Sequence, residues 1–265
     1  MRQTTFGVLR TEGSYMENLN SEIKGYWEGE AEIYDDGIQE ELNSLRADAW
    51  KNLILQNIPQ KEKLHILDVG TGPGFFPVIL GRAGHRVTGI DISENMILHA
   101  RENIKKYEAE AELMTMDSQN LEFPDCIFDA VICRNLTWTL DFPERAYREW
   151  TRVLKPGGAL LVFDACWYLW MYDQKKKKVY MENEKKIRAK YHRGIHMHAD
   201  NSKDRISPEK LFMSDKQRPQ WDLNCLISLG YGRVFAEPDI SLLTRSAFDQ
   251  ELNWPTPEFM VGGIL

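Results

Sequence analysis

The chain of 265 residues has few cysteines and no long apolar run. Its four cysteines, Cys126, Cys133, Cys166 and Cys225, are so dispersed that no two lie within six positions of each other. That spacing predicts neither a metal knuckle nor a redox pair, and it fits a reducing compartment. No apolar run reaches the ~18–20 residues that span a bilayer, and the first fourteen residues lack the apolar core of a signal peptide. We therefore expect a cytoplasmic protein with no membrane partner.

An excess of basic residues is also missing from the chain as a whole. The formal net charge is −7, which argues against a nucleic-acid partner, because such a partner usually requires a basic face. The charge is uneven, however, since residues 166–220 hold fourteen Lys and Arg against seven Asp and Glu. The densest part is Lys175–Lys178. This run is either a solvated helix face or a basic surface that attracts an anionic acceptor or partner.

The most informative stretch is residues 64–76, LHILDVGTGPGFF. An apolar run with an acid at Asp68 predicts a buried parallel strand, and the glycines at 70, 72 and 74 predict a tight turn into a helix. A second predicted strand ends at Asp91, 23 positions after Asp68. An acid in that position can accept hydrogen bonds from both hydroxyls of a ribose. The pattern indicates a nucleotide-like ligand beyond the carboxyl ends of the strands.

Further segments strengthen this interpretation. Together with the glycine turn, the segments in chain order are LDVGTGPGFF (67–76), GIDIS (89–93), MTMDSQNLEF (114–123), FDAVICRNLTWTL (128–140) and RVLKPGG (152–158). Their order and spacing resemble the class I S-adenosylmethionine-dependent methyltransferases over roughly residues 60–165. The resemblance implies an α/β fold with a seven-stranded, mostly parallel sheet of order 3-2-1-4-5-7-6 and helices on both faces. It also implies S-adenosyl-L-methionine as cofactor and S-adenosyl-L-homocysteine as product.

The chain divides around this core. Apolar residues at helical spacing before Pro59 predict an N-terminal helical lid. The segment 166–218 is too long to be a simple loop, which favours a basic helical cap inserted after strand five. A further helix and two strands complete the sheet. The predicted units are the lid at 1–58, the Rossmann-like cofactor-binding core at 59–165, the cap at 166–218 and the completion of the sheet at 219–265.

The resemblance assigns cofactor contacts residue by residue. It implies that the glycine turn and Asp68 meet the amino-acid end and that Asp91 holds the ribose. It also implies that the apolar side chains after Asp91 pack on the adenine, and that Asp117 accepts a hydrogen bond from the adenine amine. An aromatic residue of the lid, Tyr34, is expected to cover the sulfonium. The expected cofactor-binding residues are Asp68, Gly70, Thr71, Gly72, Gly74, Asp91, Ile92, Met96, Asp117, Ser118, Arg134, Asn135 and Tyr34. Turn geometry, helix capping and core packing remain the structural alternatives for these positions.

The residues that would serve the acceptor are less clearly marked. The candidates for catalysis are Tyr34, Asn135, Asp164 and His196, and the candidates for acceptor contacts are Trp27, Trp138, Trp167, His198 and Trp221. Asp164 is either a base or the cap of a turn. His192, with the two histidines that follow, could ligate a metal, but the segment lacks a clear fourth ligand, so we expect no metal.

The sequence therefore predicts methyl transfer to a small molecule by in-line displacement. The tryptophans and tyrosines favour an acceptor with an aromatic body, and the local basic charge favours an anionic group on it. An RNA methyltransferase, in which the basic insertion grips phosphates, is one alternative. A non-catalytic regulatory protein that binds S-adenosylmethionine is another. The sequence does not predict the attacked atom or the oligomeric state.

Overall fold

The computed structural model describes residues 7–195 and 206–265, with side chains from residue 19 onward. The helices of these ranges are α1 (Gly7–Leu42), α2 (Arg46–Gln56), α3 (Phe75–Arg82), α4 (Glu94–Lys106), α5 (Pro143–Val153), α6 (Gln174–Tyr191), α7 (Gln220–Ser228), α8 (Ser241–Thr244) and α9 (Ala247–Asn253). The strands are β1 (His65–Val69), β2 (Arg86–Asp91), β3 (Glu112–Thr115), β4 (Phe128–Arg134), β5 (Leu154–Ala165), β6 (Arg233–Glu237) and β7 (Glu258–Ile264).

The strands form one seven-stranded sheet in the order β3-β2-β1-β4-β5-β7-β6. The strands from β1 to β5 pair in parallel, whereas β7 is antiparallel to both of its neighbours, β5 and β6. The predicted fold class and strand order are therefore confirmed. Because β1 to β4 run in parallel, the loops that follow them meet at a single edge of the sheet.

Helices cover both faces of this sheet, as the central strand β4 demonstrates. Val131 and Cys133 belong to one apolar core, which includes Trp150 of α5. Ala130 and Ile132 belong to a second core, which includes residues of α2 and α3. Successive side chains of a strand point to opposite faces, so the two cores lie on opposite sides of the sheet. This double burial explains why the parallel strands are apolar at nearly every position.

The long helix α1 is hydrogen-bonded to α4. The carboxylate of Glu28 accepts hydrogen bonds from the backbone N–H groups of Glu94 and Asn95, at 2.8 and 3.0 Å. Two turns further along α1, Asp35 accepts a bond of 2.6 Å from the side-chain amide of Asn103. These contacts hold α1 beside the ends of the parallel strands.

The segment after β5 contains α6, whose outward face is basic. Lys175–Lys178 is exposed, so the lysine run lies on a solvated helix face. The inward face of α6 packs toward α9, where the side-chain amide of Asn183 donates a hydrogen bond of 2.9 Å to the carbonyl of Leu252. Within the described ranges, no helix combines the length and apolar character that a bilayer span requires.

Two short helices between β6 and β7 were not predicted. α8 has four residues and α9 has seven, which is too short for a helical repeat of apolar residues to be recognised. The helix α9 takes part in the site described below, because its residues line one of the cavities.

Candidate cofactor and acceptor site

A cleft lies at the carboxyl ends of the parallel strands, and we call it the strand-end cleft. It is bounded by α1 and by the loops after β1, β2, β3 and β4. The predicted cofactor residues that line it are Tyr34, Gly70, Gly72, Asp91, Ile92, Met96, Asp117, Ser118, Arg134 and Asn135. Further lining residues that sequence reasoning missed are Asn20, Ile23, Met116, Gln119, Leu136, Thr139 and Leu140. No local pattern distinguishes these residues from ordinary core or loop positions.

The three glycines of the turn do not share one role. Their φ angles are all positive, at +68° for Gly70, +52° for Gly72 and +87° for Gly74, a region that favours glycine. A Cβ added to Gly72 would project toward Tyr34 and other cleft residues, at 3.8 Å or more. A Cβ added to Gly74 would instead lie 3.1 Å from Cβ of Ala100 in α4. Gly74 therefore permits close packing of two helices and does not line the cleft, and its predicted contact with the cofactor stays a prediction.

Asp68 and Thr71 are buried and lie outside the lining of the cleft. The Thr71 hydroxyl donates a hydrogen bond of 2.6 Å to the Asp68 carboxylate, and the Thr71 backbone N–H donates to the carbonyl of Ile90 at 2.9 Å. Burial raises the pKa of Asp68 to about 7. The two residues support the glycine turn, and their predicted direct contact with the cofactor stays a prediction.

Asp91 both lines the cleft and holds the glycine turn. One carboxylate oxygen accepts a hydrogen bond of 2.9 Å from the backbone N–H of Gly72, and the other accepts one of the same length from Ser93. Burial raises the pKa of Asp91 to about 6, although these backbone bonds lower it. A carboxylate oxygen has more than one acceptor direction, so both oxygens can still accept hydroxyl groups.

The side of the cleft beyond Asp91 is suited to a flat ring. Ile92 and Met96 supply apolar surface, and the Asp117 carboxylate accepts a hydrogen bond of 2.8 Å from the backbone N–H of Gln119. The carbonyl of Ser118 accepts one of 2.8 Å from the Trp150 indole. These bonds fix the loop after β3 in place.

Arg134, at the end of β4, is held in place by an ion pair and by aromatic rings. Its guanidinium forms two hydrogen bonds with the Glu41 carboxylate, at 2.9 and 3.0 Å, and lies 4.5 Å from the ring centroid of Phe75. Glu41 also accepts a bond of 2.7 Å from the Trp50 indole. Burial lowers the pKa of Arg134, but Glu41 raises it above its ordinary value, so the charge is retained. This pair connects the end of α1 to β4.

Asn135 lies where the strand-end cleft meets a second cavity. Its φ is +52°, a conformation that asparagine tolerates better than most residues. Its side-chain oxygen is buried without a hydrogen-bond partner among the described residues. The side chain is hydrogen-bonded to Tyr34, whose pKa is raised by burial. Both residues line both cavities.

The second cavity, which we call the aromatic cavity, is the larger of the two. Its empty volume is about 1870 Å³, against about 650 Å³ for the strand-end cleft. The ring centroid of Trp27 lies 5.7 Å from that of Tyr34 and 6.0 Å from that of Trp138, with the rings edge to face. The ring centroids of Trp138 and Tyr168 are 5.8 Å apart, with the rings tilted. Trp167 also lines this cavity. Three of the tryptophans predicted to contact the acceptor therefore converge here.

The charged residues of the aromatic cavity do not favour the predicted anionic group. Three carboxylates line it, those of Glu30, Glu40 and Asp249, against a single cation among the described residues, Arg193. The basic run of α6 is exposed elsewhere. Of the lysines and arginines described in the basic segment 166–220, Arg193 alone lines this cavity.

Asp164 does not line either cavity. Its carboxylate is fully buried and accepts hydrogen bonds from the backbone of Trp138 at 3.0 Å, from the Trp167 indole at 3.0 Å and from Arg218 at 2.9 Å. Arg218 also pairs with Asp222 at 2.6 Å. A carboxylate saturated in this way is structural, which favours the capping alternative over a catalytic base.

One of the remaining predicted acceptor residues, Trp221, is described, and it lines neither cavity. Trp221 packs in α7 with its ring 5.8 Å from Tyr147 and 5.6 Å from Phe212, and its contact with the acceptor stays a prediction. Its indole covers α5 because α7 packs on that helix. His196 and His198 lie outside the described residues.

The sequence of the core matches a known family. Residues 67–162 match a family model described as a methyltransferase domain. The chain is 39% identical over 101 residues to a phosphatidylethanolamine N-methyltransferase of Cereibacter sphaeroides, covering 37% of this chain and 48% of that protein. It is 38% identical over 110 residues to a malonyl-[acyl-carrier protein] O-methyltransferase of Erwinia pyrifoliae, covering 41% and 40%. The chain thus spans less than half the length of these curated relatives.

The fold is shared with solved structures. A candidate S-adenosyl-L-methionine-dependent methyltransferase of Methanococcus maripaludis superposes with a TM-score of 0.56 at 19% identity, covering 79% of this chain and 87% of that one. At this identity the likeness shows the fold alone. Residues 67–162 are therefore similar to a methyltransferase domain, and the observed strand order is the one that the resemblance to class I methyltransferases implied.

Proposed function

We propose that this chain transfers a methyl group from S-adenosylmethionine to a small-molecule acceptor by in-line displacement. One observation carries the proposal: Trp27, Tyr34 and Asn135 line both the strand-end cleft and the aromatic cavity. A methyl group at the boundary of the first cavity would face an acceptor in the second. Alignment of this kind contributes much of the rate of a displacement, on the order of 7–11 kcal/mol.

The described residues of the strand-end cleft fit S-adenosylmethionine. The missing Cβ of Gly72 leaves room beside Tyr34 and Met96, and Asp91 can accept two ribose hydroxyls. The apolar side chain of Ile92 suits an adenine face. When bound, the cofactor supplies a methyl group attached to a positively charged sulfur.

The residues at the boundary would position the reactants and keep water out. Trp27 and Tyr34 project from α1 over both cavities, which favours a dry boundary. The unpartnered side-chain oxygen of Asn135 can accept a hydrogen bond from an N–H or O–H group of a ligand. In this proposal α1 and α2 form the lid, and the segment 166–218 forms the cap over the acceptor.

The proposal of a small-molecule acceptor is supported by the relatives, whose names specify transfer to nitrogen in one and to oxygen in the other. The shared domain therefore does not specify the attacked atom. The concave aromatic lining also favours a small molecule, because ligand pockets of this kind are typically lined by aromatic side chains.

Two measurements on the purified chain test the proposal. Isothermal titration with S-adenosylhomocysteine should give one site per chain, and methyl-labelled S-adenosylmethionine should transfer its label to a molecule in a mixed pool of small metabolites. Binding without transfer across a broad pool would favour the regulatory alternative. Transfer into RNA, with an affinity that falls steeply as salt rises, would favour the RNA alternative.

A further inference from the structure

The inner face of α1 presents both aromatic rings and a carboxylate to the aromatic cavity. Trp27, Glu30 and Tyr34 are three and four positions apart, so they lie on one side of the helix. All three line the aromatic cavity. Trp27 and Tyr34 are also part of the boundary with the strand-end cleft, so Glu30 lies one helical turn from the place where transfer would occur.

Glu30 differs from the other carboxylates of the cavity in its pairing. Glu40 and Asp249 both contact Arg46, at 3.2 and 3.8 Å. Glu30 forms no ion pair or hydrogen bond with any residue in the described part of the chain. A carboxylate in an aromatic cavity attracts a cation, and the faces of neighbouring tryptophan and tyrosine rings add to that attraction.

We propose that the acceptor is an amine that binds in its protonated form, with the ammonium group at Glu30 and against the rings of Trp27 and Tyr34. This inference rests on the proposed function and adds the class of acceptor to it. The ammonium first gives one proton to water, which frees the nitrogen lone pair. That lone pair then forms the bond to the methyl carbon, while the carbon–sulfur bond breaks and its electron pair stays on sulfur.

The competing feature of the cavity is Arg193. Its guanidinium lies 5.5 Å from the ring centroid of Phe248, and its Nε atom is buried with no hydrogen-bond partner in the described ranges. If Arg193 dominated recognition, the cavity would prefer an anion. Glu30 lies on the same helix face as Tyr34, which lines both cavities, whereas Arg193 follows the end of α6. Among the described residues of the lining, the carboxylates outnumber the cations, which also favours the cation.

Three probes with the same aromatic body test the inference without any turnover. They are 2-phenylethylammonium, 2-phenylethanol and 3-phenylpropanoate, titrated calorimetrically into the full chain saturated with S-adenosylhomocysteine. The cation should bind about tenfold more tightly than the neutral alcohol, a ratio that corresponds to one charge held at a partly desolvated site. The Glu30→Gln variant should lose this preference.

Glu32→Gln is the matched control, because Glu32 is an exposed carboxylate on the same helix. It should keep the preference for the cation. Tightest binding of 3-phenylpropanoate, or an unchanged preference in Glu30→Gln, would overturn the inference. Titration of S-adenosylhomocysteine into each variant separates the two proposals: if it does not bind the wild-type chain, the proposed function fails, and if it binds while the cation preference is absent, only the acceptor class fails.

Discussion

Asp91 combines two tasks in a single carboxylate. It accepts backbone hydrogen bonds that shape the glycine turn, and it also faces the cleft where a ribose would bind. A residue with both tasks contributes to stability and to binding, so a test of its role must measure the two separately. The exposed acid Glu94 lies three positions further along the chain and offers a comparison.

We expect Asp91→Ala to weaken the binding of S-adenosylhomocysteine by roughly 10- to 100-fold, because a charged hydrogen-bond acceptor contributes about 1.5–3 kcal/mol. Isothermal titration measures the affinity, and a urea melt verifies that the variant folds. Glu94→Ala should bind as the wild type does. An unchanged dissociation constant for Asp91→Ala would remove Asp91 from the cofactor site.

The burial of Asp68 predicts how the stability of the fold depends on pH. Burial raises its pKa to about 7, although Thr71 lowers it, so the native state keeps a proton that the unfolded chain releases near pH 4. The stabilising effect of that proton is complete below pH 4 and is lost as the pH rises through about 7. Between pH 5 and 6.5, the wild type should therefore lose about 1.4 kcal/mol of unfolding free energy per pH unit relative to Asp68→Asn.

Urea unfolding of both proteins at pH 5 and 6.5 measures this difference. Asp36→Asn serves as the control, because Asp36 is exposed on α1 and should leave the pH dependence of the wild type unaltered. Parallel pH profiles for wild type and Asp68→Asn would show that Asp68 is ionised in the folded state throughout this range.

At the scale of elements, α1 is both a packing helix and a wall of the site. Glu28 of α1 accepts hydrogen bonds from the first N–H groups of α4, and it also accepts one of 3.0 Å from the Ser93 hydroxyl. Partial burial raises its pKa, but these bonds hold the pKa below its ordinary value. One helix thus caps another across the chain, directly beside Asp91.

We expect Glu28→Ala to lower the free energy of unfolding by about 1–2 kcal/mol, the usual cost of losing a helix cap. Because α1 carries Trp27 and Tyr34, S-adenosylhomocysteine should also dissociate faster. Hydrogen exchange should increase at the start of α4 and along α1. Glu32→Ala, on the exposed side of α1, should change neither property; equal effects of the two substitutions would show that Glu28 does not hold the helices together.

At the scale of the whole molecule, one buried ionic network connects the sheet to its helices. Arg218 bridges Asp164 at the end of β5 and Asp222 in α7, and Asp222 accepts a hydrogen bond of 2.6 Å from Tyr147 in α5. The side chains of the ion pair are at most 1% exposed. Such a network contributes little to the free energy of unfolding when all its members are replaced together by apolar residues, but the loss of one member leaves an unpaired buried charge.

Arg218→Met should therefore lower the free energy of unfolding by about 3–5 kcal/mol, because two carboxylates lose their shared partner. Urea denaturation measures the change. Arg148→Met removes the same charge from an exposed position of α5 and should cost well under 1 kcal/mol. Similar losses in the two variants would mean that the network does not stabilise the fold.

The sequence alone predicted the sheet and the cleft, because both depend on local chemistry. An apolar run that ends in an acid and three glycines specifies a strand and its turn, and parallel strands bring Asp91, Asp117 and Asn135 to one edge. The sequence did not predict α8 and α9, since helices of four and seven residues carry too little periodicity.

What the sequence by itself determined is where the parallel strands and the glycine turn form, because neighbouring residues decide both, while the strand order followed from the resemblance to a known family. Only the tertiary structure decided which charged groups are paired. Asp164 is structural because Arg218, 54 positions later, satisfies it, and Arg134 is held by Glu41, 93 positions earlier. Pairing over such distances depends on the packing of whole elements, and this pairing leaves Glu30 to face the aromatic cavity.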